Sequence, residues 1–332
     1  MDRTIIVSDL HVDTWTARKI RATGKTKKEH FFELLDWCEG AKVREFVING
    51  DVMDLPPYEG QSTFCPGPSI ARDVVERLIA FAAKVPVAYI YGNHDIGISG
   101  YRSMGRQGIS WLSSANFIYP NYVIDDYAQA TILVEHGHFA DPFILLYLRD
   151  LADRTYIESK FEAFQWAMQR RDPQKPLVRV EPGVGLAPVG VTPGENAYYA
   201  ARAGQAPLPK ETWLTHVVAR LKAWGARKVE KPTMERWWRA AIDGLRQYVA
   251  KVESEGKRPK PAVYMIYGHT HRADPRCAPG DAVPLADGVS GYYINAGTWA
   301  ESVDEGWYID IDPTGKPWLQ DWINEPAELR KL

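Results

Sequence analysis

The residues able to do chemistry are concentrated in five short polar clusters. These are Asp9-Leu10-His11, Gly50-Asp51-Val52-Met53-Asp54, Gly92-Asn93-His94-Asp95, His136-Gly137-His138 and Gly268-His269-Thr270-His271. They hold six of the eight histidines, so imidazole is gathered rather than scattered. Carboxylate, imidazole and carboxamide donors without thiolate suit Mn, Fe or Zn rather than a soft-metal site. Two such cations ~3.5–4 Å apart can clamp a phosphoryl group and make a nucleophile of water at neutral pH. Holding them so close needs a shared carboxylate. Any one cluster has an ordinary explanation. Asp-x-His is commonly a strand-end cap or a surface pair, and Gly-His-Thr-His could be a turn with two exposed imidazoles. All five in this order, each after an apolar run, are not explained that way. His30 and His216 fall outside the pattern and read as ordinary helix residues.

The runs before the clusters are Thr4–Ser8, Glu45–Asn49, Val87–Tyr91, Ala130–Glu135 and Ala262–Tyr267, all strand-like. Ligands in open α/β sheets bind at the carboxyl ends of strands, so five such ends can converge on one site. Between them, Lys27–Gly40 has helical spacing, with Phe31, Leu34, Leu35 and Cys38 on one face. Ser69 is placed to cap a second helix running to Lys84. After His138 the pattern changes. Pro142 to Arg171 is helical, Pro173 to Pro209 is a Pro- and Gly-rich loop, and Glu211–Ala226 and Thr233–Ser254 are helical again. Strands return at Ala262–Tyr267, Gly291–Asn295 and Gly306–Ile311. The expected architecture is an α/β core from residues 1–140 and 261–332, interrupted by a helical insertion at 141–260.

Composition excludes several classes. The chain has 332 residues, 45 % hydrophobic and 25 % charged, as in an ordinary globular protein rather than a disordered or fibrous one. Its net charge of −2 argues against long nucleic acid as a partner. No apolar run approaches the ~18 residues of a membrane span. The N-terminus does not read as a signal peptide. Cys38, Cys65 and Cys277 form no CxxC pair, so a reduced, cytoplasmic chain is expected. The insertion holds 21 Lys and Arg against 14 Asp and Glu, whereas the remainder holds 19 against 28. It also carries Trp166, Trp213, Trp224, Trp237 and Trp238. Such an element could hold an anionic ligand or make peripheral membrane contact, or its tryptophans are core and its basic residues a solvated face.

The ordered clusters DxH, GDxxD, GNHD, a later His and GHxH resemble the calcineurin-like metallophosphoesterase superfamily. The likeness runs from Asp9 to His271 and refines the fold class to a four-layer α/β/β/α sandwich with a helical cap. It implies two divalent metal ions, Mn2+ in first place, with Fe, Zn, Ni or Mg as alternatives. By that likeness Asp9, His11, Asp51 and His271 hold the first metal, and Asp51, Asn93, His136 and His269 the second. Asp51 is then the bridge. The nucleophile is a metal-activated hydroxide, with no covalent enzyme intermediate. His94 matches the group that stabilises or protonates the leaving oxygen, and Asp54 the carboxylate that orients it. His138 stands behind the ligands or contacts substrate, and Asn93 and His94 also contact substrate.

The superfamily spans several phosphoester chemistries. Asp54 is followed by Leu55-Pro56-Pro57, without the Arg of GDxxDRG that grips phosphate in phosphoprotein phosphatases. The chain is more similar to the UDP-2,3-diacylglucosamine hydrolase group in its insertion, in His269-Thr270-His271-Arg272 and in Asn295-Ala296-Gly297-Thr298-Trp299. It departs from that group where His94 replaces Arg and where His138 replaces Asp in the fourth cluster, so the likeness bears on architecture more than on substrate. The expected activity is hydrolysis of a phosphodiester or pyrophosphate in a small, nucleotide or lipid-linked substrate. The alternatives are a phosphomonoesterase, a nuclease, or a non-catalytic protein-binding scaffold. Arg149, Arg154 and Lys160 on the insertion could meet a second phosphate, or are solvated.

Overall fold

A computed structural model describes residues 3–52, 70–90, 92, 116–118, 121–140, 234–300 and 303–324. Two six-stranded sheets organise them. The first contains β1 (Thr4–Val7), β2 (Glu45–Asn49), β3 (Val87–Ile90), β4 (Asn116–Ile118), β11 (Trp307–Ile311) and β12 (Pro317–Asp321), in the order β12-β11-β1-β2-β3-β4. β1 to β4 run parallel, while β11 and β12 extend the sheet antiparallel. The second contains β5 (Asn121–Ile124), β6 (Ala130–Glu135), β7 (Ala262–Tyr267), β8 (Ala273–Asp274), β9 (Val283–Ala286) and β10 (Val289–Ala296). Its order is β5-β6-β7-β10-β8, with β9 also on β10. Here β6, β7 and β10 are parallel.

Alternation along the strands builds two cores. Ile5, Val7, Phe46, Ile48, Val87 and Tyr89 face helices α1 (Lys27–Ala41) and α2 (Ile70–Ala82), meeting Phe31, Leu34, Val74 and Leu78. Ile6, Val47, Ala88 and Ile90 point the other way and pack with Ile132, Val134, Ile266 and Ile294 of the second sheet. Strands buried on both faces read as continuous apolar runs, as parallel strands do. On the far face of the second sheet, Tyr248 of α3 (Met234–Ser254) hydrogen-bonds Thr131 of β6. The mixed α/β architecture with two sheets is the expected sandwich.

α1 begins at a reciprocal cap. The Thr26 hydroxyl accepts from Glu29 N at 3.2 Å, and Glu29 Oε2 accepts from Thr26 N at 2.6 Å. His30, on this helix, is buried beside Thr23, whose Oγ1 is 2.6 Å from its Nε2.

By contacts the chain divides into one unit of Met1–Ala140 with Trp238–Leu332 and another of Asp141–Trp237. Ser69, Cys65, His216, Trp166, Trp213, Trp224, Arg149, Arg154, Lys160 and the 173–209 loop lie outside the described residues. Trp237 is buried, and Trp238 is half-buried beneath the Arg276 guanidinium, 5.7 Å from its ring centroid. Among the described residues, no helix is long and apolar enough to cross a membrane.

Candidate metal centre

Five of the six described donor residues adopt a backbone that L-amino acids avoid, His136 being the exception. Asp9, His11, Asp51, His269 and His271 have φ between 45° and 64°. In this left-handed region Cβ crowds the following carbonyl, at about 1–2 kcal/mol per residue. Hydrogen bonds between the turns hold it in place. Asp9 N donates to Gly50 O at 3.1 Å, His11 N to Asp51 O at 3.0 Å, and Gly268 N to His136 O at 3.0 Å. Two glycines permit the close approach. A Cβ at Gly50 would lie 2.5 Å from His136 Nδ1, and one at Gly92 would lie 2.7 Å from Asp51 Cγ.

Side chains from both sheets gather into two donor groups at metal-ligand spacing. Asp9, His11 and His271 form one, and Asp51, His136 and His269 the other. In the first, His11 Nε2 is 3.1 Å from His271 Nε2, which is 3.3 Å from Asp9 Oδ1. Two imidazole nitrogens so placed need a proton or a cation between them. Asp9 Oδ2 accepts from His269 N at 2.9 Å and contacts the Ser8 hydroxyl. Asp9 Oδ1 is buried and makes no hydrogen bond.

In the second group the tautomer is fixed. His136 Nδ1 faces the Asn49 carbonyl at 2.8 Å, which can only accept, so the proton is on Nδ1. Nε2 then turns its lone pair toward Asp51 Oδ2, 3.0 Å away. A lone pair against a buried carboxylate is repulsive unless a cation or a second proton intervenes. Burial alone would lower the His136 pKa, but Asp51 and Asp9, then hydrogen bonds to Asp51 and Asn49, outweigh it and raise it to about 10. Burial likewise pushes Asp9 upward, yet His136 and His271 hold its carboxyl below the usual range. The two carboxylates thus favour a positive charge at His136 Nε2, where a cation would bind. Buried carboxylates, imidazole lone pairs and an unbonded Asp9 oxygen fit divalent cations bound by oxygen and nitrogen. Cys38 is buried in the core on α1, and neither group includes a thiol.

The other expected site residues divide in two. His138 is buried, its ring 5.4 Å from His136 and 6.4 Å from His269, and it stands in neither group. Asn93, His94 and Asp54 lie outside the described residues. Sequence reasoning passed over Ser8, Asn49, Asn295 and Thr298, which are buried and hydrogen-bonded to the ligand turns. Their signal was available only for Asn295 and Thr298, as the Asn-x-Gly-Thr-Trp motif.

The family model for calcineurin-like phosphoesterases matches residues 3–273, most of the chain and every described donor. The chain belongs to the calcineurin-like phosphoesterase family. Membership places this calcineurin-like phosphoesterase among phosphoester hydrolases and agrees with two candidate metal groups. No curated protein matches the chain. Among solved structures it is similar to a dimetal phosphatase from Danio rerio, at 12% identity and TM-score 0.37, over 93% of this chain and 91% of that one. It is also similar to nuclease MPE from Pseudomonas putida, at 16% identity and TM-score 0.26, over 40% of this chain. That second match spans about half of the nuclease, 53% of its length.

Proposed function

We propose that this calcineurin-like phosphoesterase hydrolyses a phosphodiester or pyrophosphate bond in a small, nucleotide or lipid-linked substrate, using two divalent cations. The observation that carries this reading is His136. Its tautomer is set by Asn49 so that Nε2 offers a lone pair beside the buried Asp51 carboxylate. Asp9, His11 and His271 would hold one cation, and Asp51, Asn93, His136 and His269 the other, with Asp51 shared. Manganese is proposed first, then Fe, Zn, Ni or Mg. When bound, the cations would supply Lewis-acid polarisation of phosphoryl oxygens and a nucleophile derived from water.

The chain's own residues would do the rest. The His271 side chain is 40% exposed while Asp9 is fully buried, so substrate would approach from the His271 side. His94 would give a proton to the departing ester oxygen, with Asp54 orienting the imidazole through its carboxylate. A P–O bond to the water oxygen would form as the P–O bond to the leaving group breaks. Water loses one proton and the leaving oxygen gains one. His138, its ring 5.4 Å from that of His136 and 6.4 Å from that of His269, would contact substrate or support those two residues. Within the 141–260 insertion, the part before α3 is proposed as a cap that selects the leaving group, and peripheral membrane contact through it fits a lipid-linked substrate. A cytoplasmic setting is proposed on the free Cys38 and Cys277.

The test is Mn-dependent hydrolysis of bis-p-nitrophenyl phosphate and p-nitrophenyl phosphate side by side, with Asp51→Asn as control. Diester turnover lost in the control supports the reading. Monoester preference would make the protein a phosphatase. Absence of bound metal would refute the enzyme reading and favour a scaffold.

A further inference from the structure

Asp9 is secured through its backbone by a segment that supplies no ligand. Its carbonyl accepts from Thr298 Oγ1 at 2.8 Å and from Trp299 N at 3.0 Å. Both donors belong to Asn295-Ala296-Gly297-Thr298-Trp299, the segment that ends β10 and turns out of it. At its other end, Asn295 Nδ2 donates to Gly268 O at 2.8 Å, the carbonyl that opens the turn bearing His269 and His271. Gly297 N donates to Asn295 Oδ1 at 3.2 Å and closes the turn on itself. One short segment therefore grips the two ligand turns that compose the first donor group.

The grip is braced from behind. Thr298 Oγ1 accepts from Ala300 N at 2.9 Å while donating to Asp9, so its one proton is committed to the Asp9 carbonyl. Trp15 Nε1 spans Leu10 O at 2.8 Å and Trp299 O at 3.0 Å. Beyond Trp299, the carbonyls of Ala300, Val303 and Glu305 accept from Lys27 Nζ at 3.0, 2.6 and 2.8 Å. Lys27 is only 2% exposed, and an ammonium has three protons to give, so one buried cation ties the loop to the start of α1. Burying an ammonium is costly unless it is fully hydrogen-bonded, which argues that the loop's position is fixed.

We propose that Thr298 is a positioning residue for the cation site formed by Asp9, His11 and His271. It acts by holding the Asp9 backbone at φ 53°. This rests on the function proposed above. Without the hydroxyl, the Asp9 carbonyl keeps only Trp299 N, and Ala300 N loses its acceptor. Asp9 is then free to relax toward an extended backbone, which turns Oδ1 away from His271. The second group meets Asp9 through backbone hydrogen bonds, from His269 N to Oδ2 and from Asp9 N to Gly50 O, and is otherwise held by Asn49 and Gly92, so it is disturbed less.

The experiment compares wild type, Thr298→Val and Thr298→Ser in the full-length chain. Metal is stripped and Mn(II) titrated back by calorimetry, with the Mn(II) paramagnetic resonance spectrum recorded at saturation. Partners standing behind metal ligands typically change affinity roughly 10–100-fold. The expected result is that Thr298→Val weakens one of the two binding events by about that factor and leaves the other within about threefold. Its spectrum shifts toward that of an isolated ion, and Thr298→Ser restores both readouts. Should Thr298→Val fail to fold, Thr298→Ala is read the same way. Equal weakening of both events, or loss of thermal stability with both affinities unchanged, would overturn the proposal by making Thr298 merely structural. Wild-type protein that takes up no Mn(II) would refute the function itself, a result separate from any difference among variants.

Discussion

Metal uptake at His136 must displace a proton, and the structure sets how much that costs. Nδ1 is committed to the Asn49 carbonyl, and Nε2 lies 3.0 Å from Asp51 Oδ2. Although burial opposes the charge, Asp51 and Asp9 raise the pKa to about 10. At about pH 7 the imidazolium is then favoured over the neutral ring by roughly a thousandfold, or about 4 kcal/mol. A cation binding through Nε2 works against that term. Apparent Mn(II) affinity therefore rises by about tenfold per pH unit from this group between about pH 7 and pH 8.5, with close to one proton released per chain. Calorimetry in buffers of differing ionisation enthalpy measures the proton directly. The same group has a stability consequence in metal-free protein. Its folded pKa is above the unfolded value of 6.5, so its contribution is fully present below about pH 6.5 and is lost as pH rises through about 10. The full loss is on the order of 5 kcal/mol. Affinity flat across this range, with heats independent of buffer, would show that His136 is neutral in the free protein and refute the reasoning.

Other perturbations separate site from scaffold. Gly92→Ala would put a methyl 2.7 Å from Asp51 Cγ and Asp51 N. It should cost about 1–3 kcal/mol by overpacking and lower Mn(II) stoichiometry measured by elemental analysis. Thr26→Ala removes the α1 cap far from the ligands, so thermal unfolding should lose about 1 kcal/mol while Mn(II) affinity is unchanged. Lys27→Met strips the ammonium from three carbonyls and should destabilise by about 1–3 kcal/mol for each carbonyl left without a partner, less the desolvation saved by removing the charge, in denaturant unfolding. At His271, glycine relieves about 1–2 kcal/mol of left-handed strain against roughly 0.5–1 kcal/mol of added unfolded freedom. His271→Gly should therefore leave the metal-free melting midpoint level or raised, whereas Arg272→Gly, without positive φ, should lower it.

The elements carrying the clusters were legible because their apolar runs are long enough to read. β2, β6 and β7 fall on Glu45–Asn49, Ala130–Glu135 and Ala262–Tyr267, and α1 is one residue longer than its apolar face implied. The strands missed are edges. β5 is largely half-exposed, and β12 opens with proline and exposes Trp318, so neither has a clean period. The partition into two sheets was also hidden. Strands buried on both faces look alike whichever sheet they join, as β1 and β7 do. Within the site, donor types announced themselves, and their supports did not. Lys27 meets carbonyls 273 to 278 residues away, and nothing local marks it as buried. Nor could residue type reveal that Asp9, His11, Asp51, His269 and His271 all carry left-handed backbone.

That strain has a structural logic. The first donor group joins the ends of β1 and β7, and the second joins β2, β6 and β7, so each spans both sheets. The sheets are already held together by an apolar layer that includes Ile6, Val47, Ile132, Val134 and Ile266, all buried. At their carboxyl ends that layer gives way to buried carboxylates and imidazoles, where packing alone contributes nothing favourable. Left-handed turns let β1, β2 and β7 deliver ligands within a few residues of their ends, while β6 delivers His136 directly after Glu135 without one. Ser8, Asn49, Asn295 and Thr298 then fix those turns by hydrogen bonds rather than by bulk. Cations bound there would be additional cross-links between two sheets that already cohere. Their contribution to stability should therefore follow mass action on a preformed site, growing with free metal concentration, rather than act as a condition for folding.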